Sequence, residues 1–566
     1  MNENKSIPKR DQVPVEFTWN TGDLFADDTA WQTAFDAAKE IPAKIATYQG
    51  RLGDSAGTLL SWLNFNEEIS EKLSPLYYYA HLNADVDTGN SFYQDLQSKI
   101  FSLLVTVNSA SAFETPEILA IPEETVAEFY CQEPGLRKYT RYLDNIRRQA
   151  AHILSTPEET LLAQAGEVAR APEKINSLFM DADLKFPDAT DSMGRNYPLT
   201  QGSYIPLMEN NDRVLRKSAF MCFYHTFGSF RNSSAAHLDA QVRQLKFFST
   251  ARKYASNLEA SLDRTEVPVS VYHNLITAVH ENMGLLHRYM ALRKRLMKLD
   301  ELHMYDIYAP MISESHELIS YEMAKEEILA ALAPMGEEYV SLLREGFSHR
   351  WIDVYENEGK RSGAYSSGGK PHPYVLLNQK DTLDSEFTIA HEMGHALHTW
   401  YSTQNQPPVY SDYVIFVAEV ASICNEALLM DYKLAHTQDK IRRASLINYF
   451  LEQFRTTLYR QTMFAEFEQQ INAKVEQGES LTADLLCSMY LDLNRIYYGA
   501  NVVCDEEIGM EWARIPHFYY NFYVFQYATG FSAAMALSQK ILREGKSAVD
   551  AYRTFLSSGC SQSPID

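Results

Sequence analysis

Two histidines and a glutamate form the most informative pattern in the chain. His391 and His395 stand four residues apart in the segment DSEFTIAHEMGHALHTWYS, and Glu392 follows the first of them. On an α-helix, side chains four residues apart project from one face, so both imidazoles can hold the same divalent ion. Glu392 lies about 100° around that helix from His391, where it can reach a water on the ion rather than the ion itself. The spacing predicts an HExxH zinc site with Glu392 as the catalytic base.

A catalytic zinc ion takes three protein ligands and keeps one position open, so a third ligand is expected. His398 lies about 10 Å along the helix axis from His391, too far to share an ion, and we expect it to pack near the site. Glu419, 24 residues after His395, is the better candidate because it lies in the apolar run VIFVAEVA, where an unpaired carboxylate is costly to bury. A salt bridge from Glu419 to Lys or Arg is the alternative. Glu426 falls on the same helical face and is expected either to hydrogen-bond an imidazole from behind or to be an ordinary buried acid.

The elements that must position these residues are mostly helical. Besides residues 384–402, amphipathic patterns predict helices over residues 269–299, 321–333, 445–476 and 533–556. Strand patterns are confined to residues 184–187 and 374–378, and the second lies just upstream of the HExxH helix. The sequence therefore predicts a mainly α fold with one small β-sheet beside the zinc helix.

Turn-forming residues concentrate at positions 184–200, between helical stretches. We therefore expect an N-terminal helical lobe over residues 1–195 and a catalytic zinc metallopeptidase domain over residues 196–566.

The composition and charge of the chain disfavour several classes of binding partner. The 566 residues include 51 Lys and Arg against 74 Asp and Glu, a formal net charge of −23, which disfavours nucleic acid. No run of about 18 apolar residues predicts a membrane span, and no apolar segment follows the basic residues of the N-terminal stretch as in a secretory signal. Six scattered cysteines are typical of reduced thiols. These features predict a cytoplasmic protein with no membrane, nucleic-acid or obligate protein partner.

The segments around the site extend into a wider resemblance. HEMGHALHTWYS and FVAEVASICNEA resemble the oligoendopeptidase F branch of the thimet-oligopeptidase-like zinc metallopeptidases. VPVEFTWNTGDLF, GKRSGAYSSGG, PYVLLN and IPHFYYNFYVFQYATG extend the resemblance over nearly the whole chain. The resemblance implies a two-lobed helical body around a deep substrate channel, with one Zn²⁺ at its floor and short peptides as substrates. It also implies that His391, His395 and Glu419 are the metal ligands and that Glu392 is the catalytic acidic residue.

Residues 517–527, HFYYNFYVFQY, supply donors for the oxyanion that forms during peptide hydrolysis. Aromatic stripes are more often core than catalytic. The resemblance nevertheless implies that a His and Tyr pair from this segment binds the oxyanion, which indicates His517 with Tyr520 or Tyr527. Spacing alone does not choose between the two tyrosines. Tyr523 is assigned to substrate binding.

The small sheet upstream of the zinc helix suggests how a substrate is held. A peptide could pair with it as an added strand, which recognises the backbone without regard to sequence. Gly363 would permit a close backbone approach and Tyr365 would contact the peptide. A purely structural edge strand is the alternative.

These residues predict a zinc-dependent endopeptidase that hydrolyses internal bonds of short oligopeptides by attack of a zinc-bound water, with Glu392 transferring the proton. A peptidase that releases C-terminal dipeptides would use the same site but needs a cationic subsite. A catalytically silent peptide-binding relative is disfavoured because Glu392 is present. Mn²⁺ or Co²⁺ could occupy the same ligands.

Overall fold

The computed structural model describes residues 7–312 and 318–565, and most of this part of the chain is helical. The prediction of a mainly α fold is confirmed. The first group of helices is α1 (Asp28–Ala38), α2 (Ile41–Ile45), α3 (Ala56–Asp85), α4 (Ser91–Ala110), α5 (Glu114–Ala120), α6 (Glu123–Gln132), α7 (Thr140–Arg148), α8 (Thr156–Ala169) and α9 (Ala171–Leu178).

The second group precedes the HExxH helix. It consists of α10 (Gln201–Met208), α11 (Arg213–Ser229), α12 (Arg231–Ala251), α13 (Asn257–Asp263), α14 (Val269–Glu281), α15 (Met283–Leu296), α16 (Tyr321–Ala331) and α17 (Glu337–Ser348). The third group consists of α18 (Leu383–Asn405), α19 (Ile415–His436), α20 (Lys440–Gln453), α21 (Arg460–Glu476), α22 (Ala483–Tyr498), α23 (Phe525–Glu544) and α24 (Lys546–Leu556).

Three of the predicted helices are interrupted. Residues 269–299 form α14 and α15, and residues 445–476 contain a π-helical segment, Phe454–Tyr459, between α20 and α21. Residues 533–556 are split between α23 and α24 at Gly545, whose φ of 62° lies in the left-handed region that favours glycine at a helix end. Periodicity continues across such breaks, so the sequence pattern does not reveal them.

Seven short strands form three small sheets in the described part of the chain. They are β1 (Ala189–Thr190), β2 (Asn196–Tyr197), β3 (Leu302–His303), β4 (Ile352–Asp353), β5 (Tyr365–Gly368), β6 (Pro373–Leu376) and β7 (Val502–Val503). β1 pairs with β2 and β3 with β7, so two strand pairs exist besides the predicted sheet. Residues 184–187 lie outside any strand, because pairing begins only at β1.

The sheet beside the HExxH helix has the strand order β4, β6, β5. The central strand β6 is buried at all four positions, which explains its continuous apolar sequence. It runs parallel to β4 and antiparallel to β5, with Ser366 opposite Val375. Among the described strands, β5 pairs on one side only and is an edge strand.

Among the described residues, the apolar core has three large clusters and a small fourth one around Trp19 and Tyr374. One lies among α1 to α7, a second contains residues of α10 to α15, α21 and α22, and a third contains residues of α16 to α19 and α24. Helix α23 joins the last two, since Phe525 packs in the second cluster and Phe531 in the third. Leu184 and Ala189 already pack in the second cluster, and the predicted boundary at residue 195 stays a prediction.

Candidate metal centre and active site

Helix α18 is fixed against α19 by a glycine. A Cβ at Gly394 would lie 2.6 Å from the Cα of Ser422 and 2.7 Å from the carbonyl oxygen of Ala421. No side chain fits there, so glycine permits the close approach of the two helices. The Asn425 side chain also donates from α19 to the carbonyl of Ala390 on α18 at 3.1 Å. This packing brings the middle of α19 opposite the HExxH face.

The three predicted ligands meet at this contact. The Nε2 atoms of His391 and His395 lie 3.2 Å apart, and Glu419 Oε2 lies 3.5 Å from the first and 3.8 Å from the second. A tetrahedral zinc ion with bonds of about 2.0–2.1 Å holds its ligand atoms about 3.4 Å apart. The donor set and spacing fit such an ion. In the described residues, this is the one group of three or more metal-binding side chains with ligand atoms this close together.

A hydrogen-bonded chain orients the His391 ring. Glu426 Oε1 lies 2.6 Å from His391 Nδ1, and the Gln453 side chain donates to Glu426 Oε2 at 2.9 Å. With Nδ1–H donating to Glu426, Nε2 faces the other ligands. Burial disfavours the imidazolium, but the Glu426 hydrogen bond and nearby carboxylates outweigh it and raise the pKa of His391 to about 9. A metal ion must displace that proton to bind.

His395 is held as a neutral imidazole. Burial lowers its pKa well below the ordinary value, and the positive charge of His391 acts in the same direction. The Ala418 backbone lies beside the ring. A neutral ring of this kind is what a divalent ion requires.

Glu392 is 7% exposed and lies against the edge strand β5. The backbone of Ser366 lies beside its carboxylate, and Oε2 has no hydrogen-bond partner among the described residues. Burial, together with the Glu419 and Glu426 carboxylates, raises the pKa of Glu392 to about 7 against the opposing charge of His391. A carboxylate with a pKa near neutrality and a free oxygen suits a general base.

His398 packs against aromatic side chains and does not join the three ligands. Its ring stacks on Tyr413 with centroids 3.7 Å apart and also contacts Phe555. Burial lowers its pKa to about 3, so it is neutral.

Residues 517–527 bring four polar aromatic side chains together. We call His517, Tyr520, Tyr523 and Tyr527 the tyrosine–histidine cluster. The Tyr527 hydroxyl lies 3.5 Å from His517 Nε2, and the His517 ring centroid is 5.7 Å from that of Tyr520 and 6.1 Å from that of Tyr523. Tyr520 is 47% exposed.

The cluster lies close to the proposed metal ligands. Burial raises the pKa of both Tyr523 and Tyr527, and the negative charge of Glu419 raises each further. A Cβ at Gly530 would lie 3.0 Å from Glu419 Cβ, so α23 packs tightly on α19 at this ligand. Tyr523 and Tyr527 thus lie near Glu419, with His517 and Tyr520 packed beside them, and the structure leaves the choice of tyrosine open.

The two predicted substrate residues in the sheet region are placed differently. Tyr365 donates its hydroxyl to Asp85 Oδ2 at 2.8 Å, at the end of α3, and its ring lies near Trp19. Its polar group is therefore engaged within the protein. Gly363 is exposed, has a φ of +85°, and its carbonyl accepts from Asn378 at 2.8 Å.

Sequence reasoning missed Ser366, Gln453 and Asp85. Ser366 acts through its backbone, which has no side-chain signature. Gln453 and Asp85 are distant in sequence from the residues they contact, and no motif marks them. One sequence signal was available for the position of Glu419. Gly394 lies where α18 and α19 approach each other closely, and that contact positions Glu419.

A family model described as peptidase family M3 matches residues 206–566. The chain belongs to peptidase family M3. A model described as oligopeptidase F matches residues 117–186. The resemblance to oligoendopeptidase F and the prediction of a metalloendopeptidase are confirmed.

Individual relatives align with this chain over nearly its full length. Oligopeptidase PepF of Bacillus subtilis strain 168 is 46% identical over 561 residues, which cover 99% of this chain and 84% of that protein. A crystal structure of a Chlamydophila abortus protein matches with a TM-score of 0.92 at 35% identity and covers 99% of this chain and 94% of that one. The crystal structure of oligoendopeptidase F from Enterococcus faecium matches with a TM-score of 0.72 at 37% identity, over 94% of this chain and 91% of that one.

None of the helices that the structure describes combines the length and hydropathy needed to cross a bilayer.

Proposed function

We propose that the chain is a zinc-dependent endopeptidase that hydrolyses internal bonds of short oligopeptides. The observation that carries the proposal is the triangle of His391, His395 and Glu419 ligand atoms with sides of 3.2 to 3.8 Å, with the Glu392 carboxylate beside it. The names of the Bacillus and Enterococcus relatives support oligopeptides as the substrate class.

In this proposal the three ligands hold one Zn²⁺ per chain, which supplies a Lewis acid at neutral pH when bound. Glu392 accepts the proton of the attacking water on its free Oε2 and delivers it to the leaving amine. The neighbouring Ser366 backbone orients the carboxylate during both transfers. Glu426 holds His391 in the tautomer that directs Nε2 to the metal.

The tyrosine–histidine cluster donates hydrogen bonds to the carbonyl oxygen of the scissile bond as negative charge develops there. His517 acts with Tyr520 or Tyr527 in this role, and each such donor is worth about 3 kcal/mol in a transition state. Tyr527 lies within 3.5 Å of His517, and Tyr520 is the most exposed of the three tyrosines and thus open to a substrate.

The substrate backbone pairs with the unpaired edge of β5, beside Glu392, with Gly363 and Tyr523 lining its path. The Tyr365 hydroxyl, engaged by Asp85, contributes by fixing β5 rather than by donating to the peptide. Lobes of residues 1–195 and 196–566 flank a channel that admits short peptides. We place this enzyme in the cytoplasm, because six scattered cysteines are typical of reduced thiols. Its charge of −23 disfavours a nucleic-acid partner.

The test is digestion of one peptide sequence at graded lengths, with and without a zinc chelator, read by mass spectrometry. We expect internal cleavage that the chelator abolishes and added Zn²⁺ restores, with lower rates for long chains. Products that are always C-terminal dipeptides would replace the endopeptidase with the dipeptide-releasing alternative. Equal cleavage of a short peptide and a denatured full-length protein would contradict the channel.

A further inference from the structure

The segment that carries Tyr520 and Tyr523 passes through a rare backbone conformation. Asn521 and Phe522 have φ values of 57° and 61°, and elsewhere in the described residues no two neighbouring non-glycine residues share a positive φ. A bulky residue in the left-handed region is strained and persists only where surrounding contacts hold it. We call residues 521 and 522 the left-handed turn.

Two buried polar side chains hold this turn from different helices. On α21, Glu468 Oε1 accepts the backbone N–H of Phe522 at 2.7 Å. On α12, the Gln241 side chain donates to Asn521 Oδ1 at 3.0 Å and to the carbonyl of Tyr519 at 3.3 Å. Glu468 is 1% exposed and Gln241 is 3% exposed. Both ends of the turn are therefore fixed by groups shielded from water.

The Glu468 carboxyl group makes no second hydrogen bond with the described residues. Its Oε2 has no hydrogen-bond partner among the described residues. The hydrogen bond from Phe522 to Oε1 is therefore the one that its carboxyl group makes there. Burying a carboxyl group with one hydrogen bond is costly, and an apolar residue would avoid that cost. The Phe522 ring is also buried, edge-on to Tyr272, which resists any return of the turn to a relaxed conformation.

We propose that Glu468 is a positioning residue for peptide hydrolysis, because its hydrogen bond to Phe522 holds the left-handed turn and so fixes the tyrosine–histidine cluster. This inference rests on the proposed function of that cluster. Without the acceptor, the turn relaxes and displaces the tyrosines on either side of it. Misplacement of a reacting or stabilising group by about 1 Å can lower a rate by about 100-fold.

The test compares Glu468→Ala with Glu468→Gln in the zinc-loaded enzyme. Glu468→Ala should lower kcat by about 10- to 100-fold with KM for a peptide within about twofold, because the cluster acts in the transition state. Affinity for a phosphinic peptide, which mimics the tetrahedral oxyanion, should fall in parallel. Glu468→Gln keeps an acceptor for the N–H and should restore both values to near those of the wild type.

A buried residue in a core cluster other than that of Phe522 controls for lost stability. Leu143→Ala in α7, where Leu143 is 1% exposed, should lower Tm but leave kcat unchanged. Wild-type kcat and inhibitor affinity in Glu468→Ala would overturn the inference, as would a Glu468→Gln variant as slow as Glu468→Ala. A wild-type enzyme without metal-dependent cleavage would overturn the proposed function instead.

Crystal structures of the two variants test the inference independently of activity. Phe522 should leave the left-handed region in Glu468→Ala and keep it in Glu468→Gln. An unchanged turn in Glu468→Ala would overturn the positioning role.

Discussion

Gly394→Ala should separate helices α18 and α19 and weaken the metal site without touching a ligand. The added Cβ would lie 2.6 Å from Ser422 Cα. Carbon atoms in contact prefer about 3.5–4.0 Å, so the helices must move apart by about 1 Å. Glu419 lies one turn from Ser422, and its distances of 3.5 and 3.8 Å to the two imidazoles would grow with that movement. A tetrahedral zinc ion needs about 3.4 Å.

Overpacking a tight contact costs about 1–3 kcal/mol. If that cost falls entirely on the metal-bound state, zinc affinity decreases by about 5- to 140-fold. The assay is competition for Zn²⁺ against a chromophoric chelator, together with Tm of the metal-free and metal-loaded protein. We expect a smaller Tm increase on zinc binding in Gly394→Ala than in the wild type.

Gly228→Ala is a matched control, because Gly228 lies in helix α11 with no described atom within 4 Å of the added Cβ. It should leave zinc affinity unchanged and stabilise the fold by up to about 1 kcal/mol. If Gly394→Ala binds zinc as tightly as Gly228→Ala and unfolds at the same temperature, the close helix contact does not position Glu419.

Three further predictions concern single carboxyl groups. Glu392→Gln should retain zinc but lower kcat by about 100-fold or more, measured on a defined peptide, and full activity would exclude Glu392 as the base. Glu426→Ala should weaken zinc binding by about 10- to 100-fold, because His391 loses the acceptor that orients it. The same chelator competition measures this, and unchanged affinity would show that Glu426 has only a packing role. For Glu468, burial raises the pKa from 4.5 to about 8, so its contribution to folding stability is complete below pH 4.5 and is lost as the pH rises through 8. Each pH unit in that window removes at most about 1.4 kcal/mol. Glu468→Gln should therefore flatten the fall in unfolding free energy between pH 5 and pH 9, measured by chemical denaturation, and an equally steep fall would refute this.

The metal site was predictable because its central feature is local. The separation of His391 and His395 fixes their common face once a helix is assumed, and α18 spans residues 383–405. Glu419 was identified by the cost of burying a charge in an apolar run, and by resemblance. The relation of α19 to α18 depends on the contact at Gly394, which no periodicity describes.

Other features depend on contacts that are distant in sequence or carried by the backbone. Asp85 binds the Tyr365 hydroxyl across 280 positions, so a tyrosine that looked free for substrate is engaged by α3. The Ser366 backbone contact with Glu392 cannot be read from the sequence, because every residue type has the same backbone carbonyl and nearly all have the N–H. Strands of two residues, such as β3 and β7, are too short to show alternation. The left-handed turn after Tyr520 is built from Asn and Phe rather than glycine and gives no sequence signal.

The most direct test of the account is zinc stoichiometry measured with activity on the same preparations. The account predicts one Zn²⁺ per chain in the active wild type, loss of both metal and cleavage in His395→Ala and Glu419→Ala, and retained metal without cleavage in Glu392→Gln. Fully active protein without bound metal, or stoichiometric zinc in the two ligand variants, would contradict it.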